Sequence, residues 1–290
     1  MTVAVTPTRT SKLFRGLRRV PFGVGLSLAF LSLMFFIFLF ADLIATHDIT
    51  AQDLTNRLRR PAIMGGPAQF WLGTDELGRD IYSRLIYAIR TSMLVAIAGS
   101  LIGAILGTLL GFVAAHFRGM VEDTIMMLVD WQSSIPFVVV ALATLAFLGT
   151  SFGLVVILIG LQGWDNYARL VRGLVLSANG HGYAVAIRGL GAPPVYVYWR
   201  HILPNIAAAL MVQFSLNFPE TILLEASLSF LGMGVQPPMT SLGLMLGSGR
   251  RFLLTAWWIS VLPGAVIFLT TLSISLVGDW LRDRLDPTLR

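Results

Sequence analysis

The chain has 290 residues, of which 56% are hydrophobic and 12% are charged, and its mean hydropathy is +0.77. Soluble domains carry about 25% charged residues, so this composition excludes an ordinary soluble, fibrous or disordered protein and predicts an all-α polytopic membrane protein. The absence of cysteine excludes disulfides and thiolate metal sites. The net charge of +6 is better explained by basic cytoplasmic loops and contact with anionic lipid than by binding to nucleic acid.

The chain begins with a basic tail over residues 1–20 and continues with an uncharged run that predicts a helix over residues 21–44. The tail contains five basic residues and no acidic residue, which places it in the cytoplasm by the positive-inside rule. A signal peptide is the alternative, but the run is too long for a signal-peptide core and lacks a small-residue cleavage site before Asp42. The sequence therefore predicts an uncleaved first transmembrane helix.

Residues 45–91 are predicted to form an external loop and an interfacial helix. Residues 73–80 read GTDELGRD, and apolar residues follow four positions apart, at 81, 85, 89 and 93. This spacing, with arginines between the apolar positions, indicates an amphipathic helix at the outer membrane interface. We interpret the motif mainly as an ordered loop and interface anchor, with direct solute contact as the alternative.

Residues 92–281 are predicted to form a core domain with five further transmembrane helices. The uncharged run over residues 91–115 has a glycine at every fourth position from 99 to 111, which lets another helix backbone approach closely. The last two helices are predicted to begin near Ile202 and Phe252. Together with the first helix, these elements predict six spans.

The third uncharged run, over residues 131–164, is too long for one transmembrane helix and too short for two. We divide it at the turn residues 149–153, which predicts helices over about 123–148 and 154–174. Six spans that start in the cytoplasm return the chain to the cytoplasm, so residues 282–290 are predicted to form a cytoplasmic tail.

Polar side chains in or near the spans are candidates for a translocation path or gate, because charged groups inside a membrane usually face the bundle interior or a water-filled path. Glu220 follows Pro219, which permits a kink in the fifth helix. We interpret Glu220 and Glu225 as structural or gating residues rather than as solute ligands, and Asp130 alternatively lies near the cytoplasmic end of its helix. The candidate set is Asp130, Gln213, Asn217, Glu220 and Glu225.

The turn residues 149–153 read GTSFG and match the GxSxG motif of serine hydrolases. That motif requires a strand-to-helix turn and a histidine base, whereas here it joins two hydrophobic runs and the four histidines are distant in sequence. A turn is therefore favoured over a membrane-embedded hydrolase, and no catalytic residue is predicted. The histidines also lack metal-ligand spacing, so no metal site is predicted.

The only lysine, Lys12, is not in the GxxxxGK[ST] pattern that a P-loop requires, so an ATP-driven process would need an ATPase in another chain. A loop at about 175–203 lies in the clearest cytoplasmic segment, which contains arginines and no acidic residue. Within it, residues 183–190 are predicted to form a short helix that ends at Gly191, and Pro194 is predicted to start the next helix. Such an element can transmit a movement of a soluble partner to the transmembrane helix that follows it.

Six further stretches are informative, in chain order GTDELGRD (73–80), the stretch ending in SIP (130–136), RHILPN (200–205), SFLGMGVQPP (229–238), AWW (256–258) and GDWLRDRLDP (278–287). With these stretches, the chain resembles the C-type permease of the dipeptide/oligopeptide/nickel importer family, and the loop resembles the "EAA" coupling loop of bacterial ABC importer permeases. Two departures stand out: Val185, Ala186 and Ile187 replace the EAA residues, and Pro193 and Pro194 replace residues that are commonly polar.

The resemblance implies the type I ABC importer permease fold, in the bacterial inner membrane with both termini in the cytoplasm. It implies import of peptides, with nickel or another small solute as the alternative, and a secondary carrier is less favoured because no inverted repeat is evident. No cofactor is expected in this chain, because ATP and Mg²⁺ would bind to partner ATPases. The implied partners are a homologous second permease, two ATPase subunits, an extracytoplasmic solute-binding protein and the lipid bilayer, but no nucleic acid.

Site residues also follow from the resemblance. The residues that match the ATPase-coupling loop are Tyr183, Ala186, Arg188, Leu190, Gly191, Arg200, His201, Pro204 and Asn205. The candidates for docking the solute-binding protein are Asp75, Arg79 and Asp80.

Overall fold

The computed structural model describes residues 20–180, 189 and 191–285. Over these ranges the chain is helical apart from turns and one isolated β-bridge between Thr74 and Asp80, which confirms the all-α prediction. In chain order the helices are α1 (Phe22–Ile44), α2 (Ile81–Phe117), α3 (Gly119–Ser134), α4 (Phe137–Leu148), α5 (Phe152–Gly160), α6 (Trp164–Asn179), α7 (Pro194–Val197), α8 (Leu203–Phe230), α9 (Leu242–Gly249) and α10 (Trp258–Leu285).

Four segments are long and apolar enough to cross a membrane: α1, α2, the continuous segment Pro194–Phe230, and α10. α3 and α4 together form a fifth candidate span, which is bent by 88° between the two helices. α5 has 9 residues and α6 has 16, so each is shorter than the roughly 20 residues that a span needs. A sixth span would require α5 and α6 together, and the count of six therefore stays a prediction.

Two of the predicted helices are interrupted in the structure. The helix predicted over about 123–148 is divided at Pro136, because proline lacks the N–H that a continuing helix would use, and α4 starts at the next residue. The helix predicted over about 154–174 is divided at residues 161–163. Gln132 Nε2 donates to the carbonyl oxygen of Leu161 at 2.8 Å, so a side chain from α3 satisfies one backbone group at this break. The prediction of two unbroken helices was wrong.

The predicted turn at residues 149–153 does join α4 to α5. Gly149 has φ +81°, a left-handed conformation that favours glycine. Ser151 Oγ accepts a hydrogen bond from the N–H of Leu154 at 3.3 Å and caps α5. Ser151 therefore has a structural role at a helix start, which removes the one feature that favoured a hydrolase.

α2 is one unbroken helix of 37 residues that includes the segment predicted to be interfacial. Ile81, Leu85 and Ile89 are 0%, 9% and 2% exposed and belong to the core cluster that also contains residues of α1, α8, α9 and α10. The separate interfacial helix predicted within residues 45–91 is thus absent, and its apolar positions are the first turns of a spanning helix. Their spacing marks a face that packs inside the protein.

The glycine ladder of α2 packs against α5 and α6, as the sequence predicts. A Cβ atom added at Gly107 would lie 2.2 Å from the carbonyl oxygen of Trp164 and 2.6 Å from Cβ of Tyr167. A Cβ atom added at Gly103 would lie 2.9 Å from the carbonyl oxygen of Gly160. At these distances the two helix backbones are in direct contact, so the packing requires glycine.

Replacing Gly107 by alanine is expected to destabilise the protein by about 1–3 kcal/mol, because the added methyl group forces α2 away from α6. This exceeds the gain of about 0.8–1 kcal/mol that alanine brings to a helix. Gly173→Ala on α6 is the matched control, since nothing lies within 4 Å of its Cβ position, and it should be neutral or slightly stabilising. Thermal unfolding midpoints in detergent measure both effects, and equal midpoints for the two variants would contradict the close packing.

The helices define two ends of the bundle. At the loop end, residues 45–80 connect α1 to α2, and Trp258 Nε1 at the start of α10 donates to the carbonyl oxygen of Thr74 at 3.3 Å. At the Tyr198 end, His116 of α2 contacts Tyr198 just before α8. Because α1 finishes and α10 starts at the loop end, Phe22 and Leu285 both lie at the Tyr198 end.

Candidate functional site

Asp75, at the centre of the GTDELGRD motif, is fully buried and holds the loop to α2. Its Oδ1 accepts hydrogen bonds from the backbone N–H groups of Leu77 and Arg79, both at 2.9 Å. Its Oδ2 accepts from Arg79 Nε at 2.8 Å and forms an ion pair with Arg84 of α2, whose side chain is 5% exposed. One carboxylate thus closes the loop on itself and ties it to the helix.

Asp80 also has a structural position, at the start of α2. Its Oδ2 accepts the N–H of Ser83 at 2.8 Å, which is an N-cap bond. Ser83 Oγ in turn accepts from the N–H of His47, which follows α1, at 2.9 Å. Of the three predicted docking residues, Asp75 and Asp80 are buried and only Arg79 is partly exposed. This supports the interpretation of the motif as an ordered loop and anchor.

Two exposed acids give the surface of the loop a fixed negative charge. Hydrogen bonds from the hydroxyl of Thr55 and the amide of Asn56, at 2.5 and 2.6 Å, lower the pKa of Asp53 below its ordinary value. The backbone N–H and the hydroxyl of Thr50, both at 2.7 Å, lower the pKa of Asp48 in the same way. Both carboxylates are therefore ionised at neutral pH.

A cavity of about 500 Å³ lies between this loop and residues 237–248. We call it the outer cavity, and its polar wall contains Glu76, Arg79 and Arg84. Glu76 Oε1 lies 3.8 Å from Arg79 Nη2, whereas Glu76 Oε2 is buried and has no hydrogen-bond partner in the described part of the chain. The sequence did not single out Glu76, because the opposite wall comes from a segment about 160 residues further along the chain.

Glu225 of α8 is completely buried and joins three helices. Its two oxygens accept hydrogen bonds from Ser92 Oγ of α2 at 2.8 Å and from Ser229 Oγ at 2.7 Å. Ser92 Oγ also accepts from the N–H of Leu242 in α9 at 3.1 Å, and Ser229 Oγ accepts from the N–H of Val235 at 3.1 Å. The carboxylate is thus the centre of a small polar network that fixes the loop end of α8.

The other candidate path residues do not join this network. Asp130 is exposed and pairs with Arg169 of α6 at 3.1 Å. Asn217 is 3% exposed, and its amide occupies the space beside Gly163, where a Cβ atom would lie 2.1 Å from Asn217 Nδ2. Glu220 is exposed and Gln213 is half-buried. The five residues therefore form no single site in the described structure.

The Tyr198 end contains the described part of the predicted coupling loop. Gly191 has φ +82°, and Pro194 is the first residue of α7, as predicted. A π-helical turn, Tyr198–Ile202, joins α7 to α8 without a break. Tyr198 Oη lies 3.0 Å from His116 Nδ1 of α2. The segment after Gly191 is therefore rigidly connected to α8 and contacts the end of α2.

The predicted coupling residues fall into two groups. Those outside the described residues are Tyr183, Ala186, Arg188 and Leu190. Those at the described surface of the Tyr198 end are Gly191, Arg200, Pro204 and Asn205. His201 is half-buried, and its ring centroid lies 5.6 Å from that of Tyr196.

Residues 107–290 match the family model described as "Binding-protein-dependent transport system inner membrane component". The chain belongs to this family. The permease is 41% identical to the di/tripeptide transport system permease protein DppC of Pseudomonas aeruginosa (strain UCBPP-PA14), over 91% of this chain and 87% of that protein. It is 40% identical to the dipeptide transport system permease protein DppC of Escherichia coli (strain K12), over 92% of this chain and 90% of that protein.

Solved structures also resemble the permease. A chain of the MetNI methionine ABC transporter, in an inward-facing crystal form, matches with a TM-score of 0.58 at 16% identity and covers 71% of this chain and 98% of that chain. At this identity the likeness shows the fold alone. The predicted ABC importer permease fold is confirmed.

Family membership separates the alternatives that the sequence left open. The chain is a non-catalytic permease subunit of the bacterial inner membrane, and the ATPase of such a system is a separate subunit. The hydrolase and the secondary carrier are therefore wrong. The family description also implies that the permease works with other subunits, including a binding protein.

Proposed function

We propose that this chain is one permease subunit of an ATP-driven importer of short peptides. The observation that supports the solute class is the identity of 41% and 40% with two permeases whose names specify di/tripeptides and dipeptides. Each alignment extends over about nine-tenths of both chains, so it includes the outer loop, the spans and the coupling segment together.

In the proposed assembly, a homologous second permease completes the translocation path. Two ATPase subunits bind at the Tyr198 end, and a solute-binding protein docks at the loop end. ATP and Mg²⁺ bind to the ATPases, and no cofactor is assigned to this chain. The basic tail over residues 1–20 favours a cytoplasmic Tyr198 end, so both termini are assigned to the cytoplasm.

The continuous helix Pro194–Phe230 is the proposed coupling element. A movement of the ATPases displaces the segment before Pro194, and a helix without a break carries this displacement along its axis to the loop end. The contact between Tyr198 and His116 passes the same movement to α2. At the far end, the hydrogen bonds of Glu225 connect α8 to α2 and α9. α2, α8 and α9 then rock together between inward-open and outward-open states.

Within this proposal the candidate path residues divide by exposure. Asp130 and Glu220 are exposed in the single subunit, so both are available to a path that the second permease completes. Glu225 and Asn217 are buried between helices of one subunit and are assigned to its internal structure. Gln213 is half-buried, so its exposure is intermediate between those of the two pairs.

The proposal is tested by reconstituting the full assembly in proteoliposomes with its solute-binding protein and measuring uptake of radiolabelled alanyl-alanine. We expect uptake that requires ATP and that is abolished when the P-loop lysine of the partner ATPases is replaced. Radioactive Ni²⁺ is assayed in the same vesicles. ATP-dependent uptake of Ni²⁺ without uptake of any dipeptide would overturn the peptide assignment in favour of the metal alternative.

A further inference from the structure

The loop that connects α1 to α2 has a group of exposed apolar side chains. Ile63 and Met64, in the short 3₁₀ helix Ala62–Met64, are 91% and 41% exposed, and Trp71 is 56% exposed. The N–H of Ala62 lies 3.3 Å from the carbonyl oxygen of Trp71, so the short helix and the indole are neighbours. We call Ile63, Met64 and Trp71 the apolar patch. Contiguous apolar surface of this kind marks a site of contact with a partner or a membrane.

The backbone beneath the apolar patch is held in place by its own contacts. The N–H groups of Met64 and Gly66 both donate to the carbonyl oxygen of Pro61, at 2.8 and 3.1 Å. Gly66 packs directly on this turn, because a Cβ atom added there would lie 1.7 Å from the carbonyl oxygen of Arg60. Ile63 is therefore exposed on an ordered turn, and contact with a partner would cost little conformational entropy.

The apolar patch lies at the level where the spans leave the membrane. α1, a span of 23 residues, ends at Ile44, and the N–H of Thr46 donates to Ser83 Oγ of α2 at 3.1 Å. Tyr82 precedes this serine, and its ring centroid lies 5.1 Å from that of Trp71. Tryptophan and tyrosine are enriched at the boundary between hydrocarbon and headgroups. The patch therefore adjoins the membrane boundary.

Arginines without an acidic partner lie beside the apolar patch. Arg57, Arg59 and Arg60 are exposed, and none of them forms an ion pair within residues 20–180, 189 and 191–285. The side chain of Arg59 donates one long hydrogen bond, to the carbonyl oxygen of Thr55 at 3.4 Å. Cationic side chains next to apolar ones are typical of interface anchors, in which the cations bind lipid phosphates and the apolar groups contact acyl chains.

We propose that residues 57–71 form a lipid-binding surface that anchors the loop to the bilayer leaflet at the loop end. Ile63 and Met64 enter the boundary between headgroups and acyl chains, and Arg59 and Arg60 bind the phosphate groups of anionic phospholipids. The backbone oxygen of Arg59 accepts the N–H of Thr74 at 3.0 Å, so the anchor also fixes the position of the GTDELGRD loop relative to the membrane. The inference does not depend on which solute is imported.

The test measures whether a fluorophore at residue 63 lies in the bilayer. This chain contains no cysteine, so Ile63→Cys offers a single labelling position once the cysteines of the partner subunits are replaced by serine. The labelled importer is assembled in vesicles of phosphatidylcholine and phosphatidylglycerol, with or without bromine on the acyl chains. Bromine quenches only a fluorophore at the depth of the acyl chains, so the label should lose about half or more of its emission.

Leu54→Cys is the matched control for this label. Leu54 is also an apolar residue in a 3₁₀ helix of the same loop, and it is 67% exposed, but it follows an acidic residue instead of adjoining the arginines. A label there should keep its emission in brominated vesicles and should be quenched by acrylamide in the aqueous phase. Thermal unfolding midpoints show whether each variant is folded, and Met64→Cys repeats the measurement if Ile63→Cys is not.

Bromine on one lipid at a time tests the two arginines. At equal fractions of brominated lipid, phosphatidylglycerol should quench the label at residue 63 about twofold more than phosphatidylcholine, because arginines attract anionic lipid. Adding Arg59→Gln and Arg60→Gln to the labelled variant should abolish this difference. Equal quenching by the two lipids in the presence of both arginines would overturn the proposed phosphate contacts.

Two outcomes would overturn the lipid-binding surface as a whole. One is a label at residue 63 that behaves like the label at residue 54, since the patch would then lie in water. The other is a label that bromine does not quench but that the added solute-binding protein protects from acrylamide. In that case the apolar patch is a docking site for a protein and not for lipid.

Discussion

Replacing Asp75 by asparagine is expected to destabilise the permease by about 3–5 kcal/mol, since it leaves a buried arginine without its counter-charge. The side chain of Arg84 is 5% exposed, and Oδ2 of Asp75 pairs with it and with Arg79. Asparagine has the same shape and can still accept the N–H groups of Leu77 and Arg79, but its amide nitrogen would face the two guanidinium groups. The thermal unfolding midpoint of the purified protein measures the loss.

Two further variants separate loss of the buried pair from loss of a charge in general. Asp42→Asn removes an exposed partner of Arg90, which it contacts at 2.8 Å, and should lower the midpoint much less, because solvent screens that pair. The double variant Asp75→Asn/Arg84→Met should recover part of the loss, since neither partner is then left as an unpaired buried charge. A midpoint for Asp75→Asn as high as that for Asp42→Asn would contradict this account.

The spans were predictable from the sequence where hydropathy alone determines them. α1 and the glycine-rich part of α2 follow directly from uncharged runs with helical spacing. The breaks at Pro136 and at residues 161–163 were missed because these helices were placed by span length alone, although a proline at 136 and glycines at 160 and 163 mark both positions in the sequence. At the second break Gln132, 29 residues away, donates to the carbonyl oxygen of Leu161, and a contact of that kind has no local signal.

The sequence predicted which segments contain the candidate sites, but it did not predict which side chains from different segments come into contact. The GTDELGRD motif was identified, but the buried Asp75 pairs with Arg84 of the next element, where the sequence predicts an amphipathic interfacial helix rather than a buried arginine. Glu76 and Thr240 are separated by more than 160 residues, so only the folded chain brings them to one cavity. Glu225 was singled out as a costly charge inside a span, and its role in a translocation path or gate stays a prediction. The serines that stabilise it could not be identified from the sequence.

Replacing Glu225 by alanine is expected to destabilise the permease by about 3–5 kcal/mol, because it leaves a buried cavity and removes the acceptor of two hydroxyl groups. Ser92 and Ser229 each accept a backbone N–H, from Leu242 and Val235, so each hydroxyl has its proton directed at the carboxylate. Without that acceptor, both protons remain unpaired in a site that excludes water. Thermal unfolding midpoints and ATP-dependent uptake should fall together, since the network joins α8 to α2 and α9.

Glu225→Gln gives an intermediate case that tests the direction of these hydrogen bonds. Glutamine fills the same space and its oxygen can accept from one serine, but its amide nitrogen is a donor and cannot accept from the other. The expected loss is therefore about 1–3 kcal/mol, for one unpaired hydroxyl. Glu220→Gln, at an exposed acid five residues earlier on α8, is the matched control and should leave the midpoint unchanged. If Glu225→Gln proved as stable as the unmodified protein, at least one serine would have to donate elsewhere, and the network would not hold α8 in the way that these distances indicate.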